Sequence, residues 1–111
     1  MNLITTRVSG IAVLTVPETR LTFPVLPDLM AAATTLLAAG DTRIVIDLAA
    51  VGYVDSAAIG CLMDLYRQTT SAGGTLKLAG VQRRVETMLT MTGAHHFLEV
   101  HADTSAALSS F

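Results

Sequence analysis

The chain has 111 residues, with seven Lys or Arg against nine Asp or Glu and a formal net charge of −2. This length suits a single domain, 1–111, with its own core. The few basic residues are scattered, which argues against nucleic-acid binding. No apolar run approaches the roughly 18 residues that cross a bilayer, so membrane insertion is not expected.

Charged residues are also scarce, at 14% of the chain, where a typical domain has about 25%. Such a surface favours a docking face or a homodimer. Met1–Arg7 lacks the charged segment and apolar stretch of a signal peptide. Cys61 is the single cysteine and cannot form an internal disulfide. Together these features predict a cytoplasmic protein.

Hydrophobic periodicity and turn residues predict alternating strands and helices after an opening hairpin. The predicted elements are strands Leu3–Val8 and Ile11–Val16, helix Leu29–Ala39, strand Arg43–Leu48, helix Ile59–Thr70 led by Ser56, strand Thr75–Ala79, helix Val81–Thr92, strand Phe97–Val100 and helix Thr104–Leu108. Alternation of this kind favours parallel strands joined by right-handed crossovers. We therefore expect a small α/β domain with a mixed, mostly parallel sheet and helices packed mainly on one side.

The helix that follows Ser56 is apolar over much of its circumference. One stripe contains Ile59, Leu62 and Met63, and a second stripe beside it contains Cys61 and Leu65. Such a helix needs cover beyond its sheet side. Either a neighbouring helix or a partner protein could provide it. In the next predicted helix, Val85, Met88, Leu89 and Met91 recur at helical spacing and are expected in the core.

Ser56 stands where a loop becomes this helix. A helix N-terminus has unpaired backbone N–H groups and the positive end of the helix dipole. The position suits a helix-capping side chain, and it also suits a phosphate. The residues alone leave both uses open.

Catalysis and metal binding find little support in the sequence. Ser56 is not flanked by the glycines of a G-x-S-x-G elbow, and nothing places His95 or His96 against it. Adjacent loop histidines rarely point at one ion. We therefore expect no catalytic residue, cofactor or metal. Arg83-Arg84 fits either a solvated face or a contact for an acidic partner.

Four ordered segments carry a family resemblance. They are Asp47-Leu48, Val54-Asp55-Ser56-Ala57-Ala58-Ile59-Gly60, Ala72-Gly73-Gly74-Thr75-Leu76-Lys77-Leu78 and Met91-Thr92-Gly93. In this order and at this length they resemble the STAS domain, and more narrowly the stand-alone anti-sigma factor antagonists of bacteria.

The resemblance implies a regulator that binds proteins and has no enzymatic activity of its own. In that family the Ser after the Asp is phosphorylated by a serine kinase that doubles as an anti-sigma factor, and a phosphatase resets the switch. Position by position, Ser56 matches the phosphoacceptor and Asp55 matches its acidic neighbour. We expect Ala57, Ala58, Ile59 and Leu62 to belong to the partner-binding surface, with Glu18, Thr19, Arg20 and Leu21 as its other edge.

The sequence departs from the family pattern after the second strand. The family usually has Gly-Glu-Leu-Asp there, whereas this chain has Val16-Pro17-Glu18-Thr19-Arg20-Leu21. Ala58 also replaces a usual Gly. The altered stretch and the low charge content support an alternative function, an unphosphorylated STAS accessory subunit of an ABC lipid-transport or sensory complex.

Overall fold

The computed structural model describes every residue from Met1 to Phe111 and contains seven strands and four α-helices. In chain order they are β1 (Ile4–Val8), β2 (Ile11–Thr15), β3 (Arg20–Leu21), α1 (Leu26–Ala38), β4 (Arg43–Asp47), β5 (Tyr53–Val54), α2 (Ser56–Ser71), β6 (Thr75–Ala79), α3 (Arg83–Met91), β7 (Glu99–His101) and α4 (Thr104–Ser109). Short 3-10 turns at Phe23–Val25 and Ala94–His96 precede α1 and β7.

The main sheet has five strands in the order β1-β2-β4-β6-β7. β1 and β2 are antiparallel and form a hairpin whose two turn residues, Ser9 and Gly10, have φ of 52° and 78°. Positive φ at both positions is typical of a type I′ turn, which matches the twist of the strands. The other three pairings are parallel. The predicted α/β class and mixed, mostly parallel sheet are confirmed.

The two faces of the sheet are covered unequally. On β4, Ile44 and Ile46 point into a cluster of 24 buried residues beneath α1, α2 and α3. Val45 points the other way, into a cluster of five that includes Ala107 of α4. Each fully buried Leu, Ile or Val contributes about 1.5–3 kcal/mol, so the three-helix face supplies most of the apolar stabilisation. The prediction that the helices pack mainly on one side is confirmed.

Several predicted boundaries were wrong. β3 and β5 form a separate two-stranded parallel sheet that the sequence pattern did not indicate. β7 covers Glu99–His101 instead of Phe97–Val100, since Gly93 at φ 78° ends the preceding helix and a 3-10 turn follows it. Pro27 lies within the first turn of α1, where its missing N–H costs nothing. Met91 is 77% exposed and lies outside the core.

None of the helices combines the length and the apolar character that a membrane crossing requires.

Candidate functional site

Asp55 is the residue that caps α2. Its backbone is extended, and its Oδ1 accepts a hydrogen bond from the Ala58 N–H at 2.8 Å. Its other oxygen, Oδ2, accepts from the Phe23 N–H at 2.9 Å. One carboxylate therefore satisfies a free donor of the helix and also ties α2 to the segment that enters α1. Of the two uses left open for Ser56, the helix cap is therefore excluded, because the preceding Asp55 fills that role.

Ser56 is the first residue of α2, and its side chain is exposed. The first i to i−4 bond of the helix joins the Ile59 N–H to the Asp55 carbonyl at 3.2 Å. With the Ala58 N–H bound by Asp55, the amides of Ser56 and Ala57 remain at the positive end of the helix dipole. Ser56 thus presents a hydroxyl to solvent beside two backbone donors that suit an anion.

The ribbon of β3 and β5 brings two distant parts of the sequence together at this helix end. Arg20 is paired with Tyr53, and Leu21 with Val54, which directly precedes Asp55. The Asp55 N–H continues the pairing to the Leu21 carbonyl at 3.4 Å, and the Arg20 guanidinium lies 4.3 Å from the Tyr53 ring centre. The segment Glu18–Leu21 therefore lies beside the start of α2.

Four residues expected on the partner-binding surface are instead in the core. Ala58, Leu62 and Leu21 are fully buried, and Ile59 is 5% exposed. The three on α2 lie on the helix face that packs into the main core cluster, and Leu21 of β3 belongs to the same cluster. These four assignments were wrong for a partner that docks on the folded surface. Asp55 and Ala57 are half-buried, Glu18 is half-buried, and Thr19 and Arg20 are exposed, so they remain available for contact.

An open groove of about 530 Å³ runs between α1 and α2 next to this site. Its walls include Phe23, Met30, Ala57, Gly60 and Cys61, and Asp64 and Arg67 stand at its rim. Phe23 is 71% exposed although it is a large aromatic residue. Sequence analysis missed Phe23 and Met30. For Phe23, the sequence did contain an indication: an aromatic residue lies between Thr22 and Pro24, just before α1, where no periodic apolar pattern requires it to be buried.

Cys61 lies at the floor of this groove and is 8% exposed. Burial raises the pKa of its thiol, and the neighbouring Asp64 carboxylate raises it further. A thiol held protonated is a poor nucleophile and a poor metal ligand. Cys61 therefore acts as a small apolar side chain, as its position in the helix predicted.

The histidines do not converge on Ser56. The rings of His95 and His96 stack 4.0 Å apart on an exposed 3-10 turn, and His95 Nδ1 lies 3.4 Å from the Leu89 carbonyl. His101 contacts Glu99, which is also on β7, and Ser110, which follows α4 near the C-terminal end. No group of three His, Cys, Asp or Glu side chains is placed to hold a metal ion. Arg83 and Arg84 are exposed on the first turn of α3.

The fold is similar to that of known proteins. The family model of the STAS domain matches residues 2–107. An anti-sigma factor antagonist from Mycobacterium paratuberculosis superposes with a TM-score of 0.87 at 19% identity, covering 98% of this chain and 92% of that one. The Bacillus cell fate determinant SpoIIAA in its phosphorylated form gives 0.75 at 15%, covering 98% of each chain.

A third similar structure has a different description. A sulfate transporter family protein from Wolinella succinogenes superposes with a TM-score of 0.81 at 18% identity, covering 95% of this chain and 87% of that one. At these identities the likeness establishes the fold, and the fold serves more than one kind of protein. With the family model matched along nearly its whole length, this chain belongs to the STAS domain family.

Proposed function

We propose that the protein is an anti-sigma factor antagonist that binds an anti-sigma serine kinase while Ser56 is unphosphorylated and releases it when Ser56 carries a phosphate. A phosphatase completes the cycle. The protein is a substrate of the kinase and performs no catalysis of its own. It acts in the cytoplasm, where a kinase, a sigma factor and ATP are present together.

The observation that carries this proposal is the division of roles between Asp55 and Ser56. Because Asp55 caps the helix, the Ser56 hydroxyl is exposed and is not needed for folding. A kinase can therefore modify Ser56 without first unfolding the helix end. The described antagonists share this fold, and one of them was solved in a phosphorylated form.

A phosphate on Ser56 would add about −1.5 to −2 charges at this position. The helix N-terminus stabilises an anion by about 0.3–1 kcal/mol at an exposed site. Repulsion from Asp55 opposes that gain, although both Asp55 oxygens already accept N–H donors. The folded state therefore tolerates the phosphate, and its effect falls on whatever binds next to it.

The proposed docking surface has two parts on either side of Ser56. One part is the exposed edge formed by Glu18, Thr19 and Arg20 on the ribbon. The other is the apolar groove, which starts at Phe23 and Ala57. A kinase that covers both would enclose Ser56. Desolvating a phosphate in such an interface costs several kcal/mol, which is enough to break the complex.

The test is affinity purification of tagged full-length protein from its own host, with mass spectrometry of Ser56 and of the captured proteins. We expect a fraction of Ser56 to be phosphorylated and a serine kinase to be captured. Ser56→Ala should capture as much kinase as wild type or more. Ser56→Asp should reduce capture by at least about tenfold, since 1.4 kcal/mol already corresponds to that factor.

Ser105→Asp is the matched control. Ser105 is also exposed in the first turn of a helix, α4, which Asp103 caps with a 2.8 Å bond from the Ala106 N–H. The variant adds the same charge in the first turn of another Asp-capped helix, on the other face of the sheet, and capture should stay at the wild-type level. Unmodified Ser56 under all growth conditions, together with equal capture by Ser56→Asp, would refute the proposal.

One observation favours a second candidate, an accessory subunit of a transport or sensory complex. The segment Val16–Leu21 lacks the family's Gly-Glu-Leu-Asp, and it contributes β3 directly beside Ser56. A sulfate transporter family protein has the same fold. In the same purification, an ABC ATPase captured equally by wild type and Ser56→Asp would support this candidate over the antagonist.

A further inference from the structure

The two edges of the main sheet differ in how they are protected against pairing. β7 forms one edge, has only three residues, and carries Glu99 and His101. β1 forms the other edge, has five residues, and every one of them is exposed. Short length and charged residues are the usual means of blunting an edge strand. β7 is both short and charged. β1 is longer and carries a single charged residue, Arg7.

The hairpin geometry shows which groups of β1 are free. Val8 and Ile11 flank the two-residue turn and exchange hydrogen bonds with each other, and such pairs alternate along the strands. Ile4, Thr6 and Val8 therefore direct their backbone groups toward β2. Thr5 and Arg7 direct theirs outward, so the outer edge presents two N–H groups and two carbonyls in strand geometry.

The single charge on β1 does not guard this edge. Arg7 makes a bidentate pair with Asp41, with its Nη2 2.6 Å and its Nε 3.1 Å from the two carboxylate oxygens. The pair raises the pKa of Arg7 and lowers that of Asp41, so both stay charged and offset each other. The strand contains no proline, glycine or bulge. Nearby α1 carries only Ala and Thr on its exposed side from Ala31 to Ala38.

We propose that β1 pairs with β1 of a second copy of this chain, antiparallel about a two-fold axis at Thr6. The occupant is a second copy because the strand is complementary to itself in this register. Thr5 and Arg7 exchange both backbone bonds with Arg7 and Thr5 of the partner subunit. On the α4 face, Ile4 then lies opposite Val8 of the partner subunit, and the two Thr6 side chains face each other.

This register also brings the two exposed apolar side chains of β1 into contact with those of the partner subunit. Ile4 is 55% exposed and Val8 is 44% exposed in the monomer. Both are β-branched, and cross-strand pairs of such residues stabilise sheets. The two sheets become one continuous sheet. Because α2 packs over β6, three strands from this edge, both copies of Ser56 stay exposed in the dimer.

The experiment is sedimentation equilibrium of the full chain from micromolar to millimolar concentration. We expect a reversible monomer–dimer equilibrium. Thr6→Lys and Thr6→Glu each place like charges opposite each other at the axis, and each should raise the dimer Kd by about fivefold or more. An equimolar mixture of the two variants should form a heterodimer at least as tight as the wild-type dimer. That rescue separates lost pairing from lost folding.

Two further variants make the test specific for this edge. Thr5→Pro removes an N–H that the monomer does not use, and it should weaken the dimer by about ten- to a hundredfold because two bonds are lost. Val100→Lys places a charge on the opposite edge strand, β7, and should leave the Kd unchanged. A wild-type chain that stays monomeric at millimolar concentration would overturn the proposal. So would a dimer that Val100→Lys dissociates and Thr6→Lys does not.

Discussion

At the scale of single residues, the residue that caps α2, Asp55, is separate from the residue proposed to be phosphorylated, Ser56. A serine that capped its own helix would lose the cap on phosphorylation, and stability and signalling would be coupled. Here the carboxylate of Asp55 holds the helix end and the entry to α1, and the hydroxyl beside it is exposed. We therefore expect a change at Ser56 to have little effect on stability.

This arrangement predicts a specific order of stability among three variants. Asp55→Ala removes both hydrogen bonds and should lower the free energy of unfolding by about 2–3 kcal/mol. Asp55→Asn keeps the cap to Ala58 but turns an amide NH₂ toward the Phe23 N–H, so we expect a loss of about 1–2 kcal/mol. Urea denaturation followed by circular dichroism measures all three.

Ser56→Ala is the third variant and the control. Because its hydroxyl neither caps the helix nor is buried, the free energy of unfolding should change by less than about 0.5 kcal/mol. A loss as large as that of Asp55→Ala would mean that Ser56 caps the helix in solution.

At the scale of elements, α2 has a specific residue at each end, and one glycine in its early turns, Gly60, has free space around it. It begins at the Asp55 cap and ends before the turn Gly73-Gly74, where Gly73 has φ 77°. Gly74 packs against the loop before β4, where the Thr75 N–H donates to the Thr42 carbonyl at 2.8 Å. Gly60, in contrast, faces the groove with open space above it.

The two glycines should respond to alanine in opposite directions. A Cβ at Gly74 would overlap the fixed carbonyl oxygen of Thr42, so Gly74→Ala should lower the free energy of unfolding by about 1–3 kcal/mol. A Cβ at Gly60 meets nothing within 4 Å. Gly60→Ala should therefore raise stability by up to about 1 kcal/mol through helix propensity. Thermal and urea unfolding of the pair test this, and a stabilising Gly74→Ala would contradict the packing described.

The sequence predicted the longer elements and α4, but it missed the two-residue strands and misplaced β7, for a physical reason. β2, β4 and α2 bury regular apolar patterns, and their positions follow from periodicity. β3 and β5 have two residues each, too few for any period, and they exist because their backbones pair with each other. β7 was misplaced by two residues because a 3-10 turn occupies Ala94–His96 and leaves Phe97 exposed.

At the candidate site, too, the sequence indicated some features and could not indicate those that depend on tertiary packing. The sequence analysis expected the Glu18–Leu21 segment beside Asp55 and Ser56, and β3 does pair with β5 directly before Asp55. It could not rank side chains within one helix turn by burial, so Ala58, Ile59 and Leu62 were placed on the surface although they face the sheet. Which side of α2 meets the core depends on the crossover from β5, a tertiary feature with no local signal.

At the scale of the whole molecule, one buried lysine links several elements on the less covered face of the sheet. Lys77 lies in the middle of β6 and is 5% exposed. Its ammonium donates to the Ser110 carbonyl at 3.0 Å and to the Ser110 Oγ at 2.6 Å, and it pairs with Glu99 Oε2 at 2.9 Å. The Phe111 ring lies 4.4 Å away. This single cation thereby joins β6, β7 and the end of the chain after α4.

The pair predicts how stability depends on pH. Hydrogen bonding from Lys77 holds the pKa of Glu99 below its ordinary value, and His101 adds to this while burial opposes it. A carboxyl whose pKa is lowered on folding stabilises the protein above its unfolded pKa, about 4.3 for Glu, and loses that contribution as the pH falls through the folded pKa. Because the Glu99 side chain is 53% exposed, its contribution at neutral pH should stay below about 1 kcal/mol.

Glu99→Gln tests this dependence, since it keeps an acceptor and removes the charge. We expect the variant to be less stable than wild type at neutral pH, and the difference should shrink as the pH falls below about 4.3 and through the lowered pKa of Glu99, where the wild-type carboxyl takes up its proton. Glu86→Gln is the comparison for an exposed carboxylate without an ion pair, and because Glu86 lies in the first turn of α3, we expect its removal to cost no more than the helix-dipole interaction, about 0.3–1 kcal/mol. Urea unfolding of the three proteins across this range measures the effect. A Glu99→Gln difference that does not change with pH would show that Lys77 is held by hydrogen bonds to Ser110 alone, without help from the charge of Glu99.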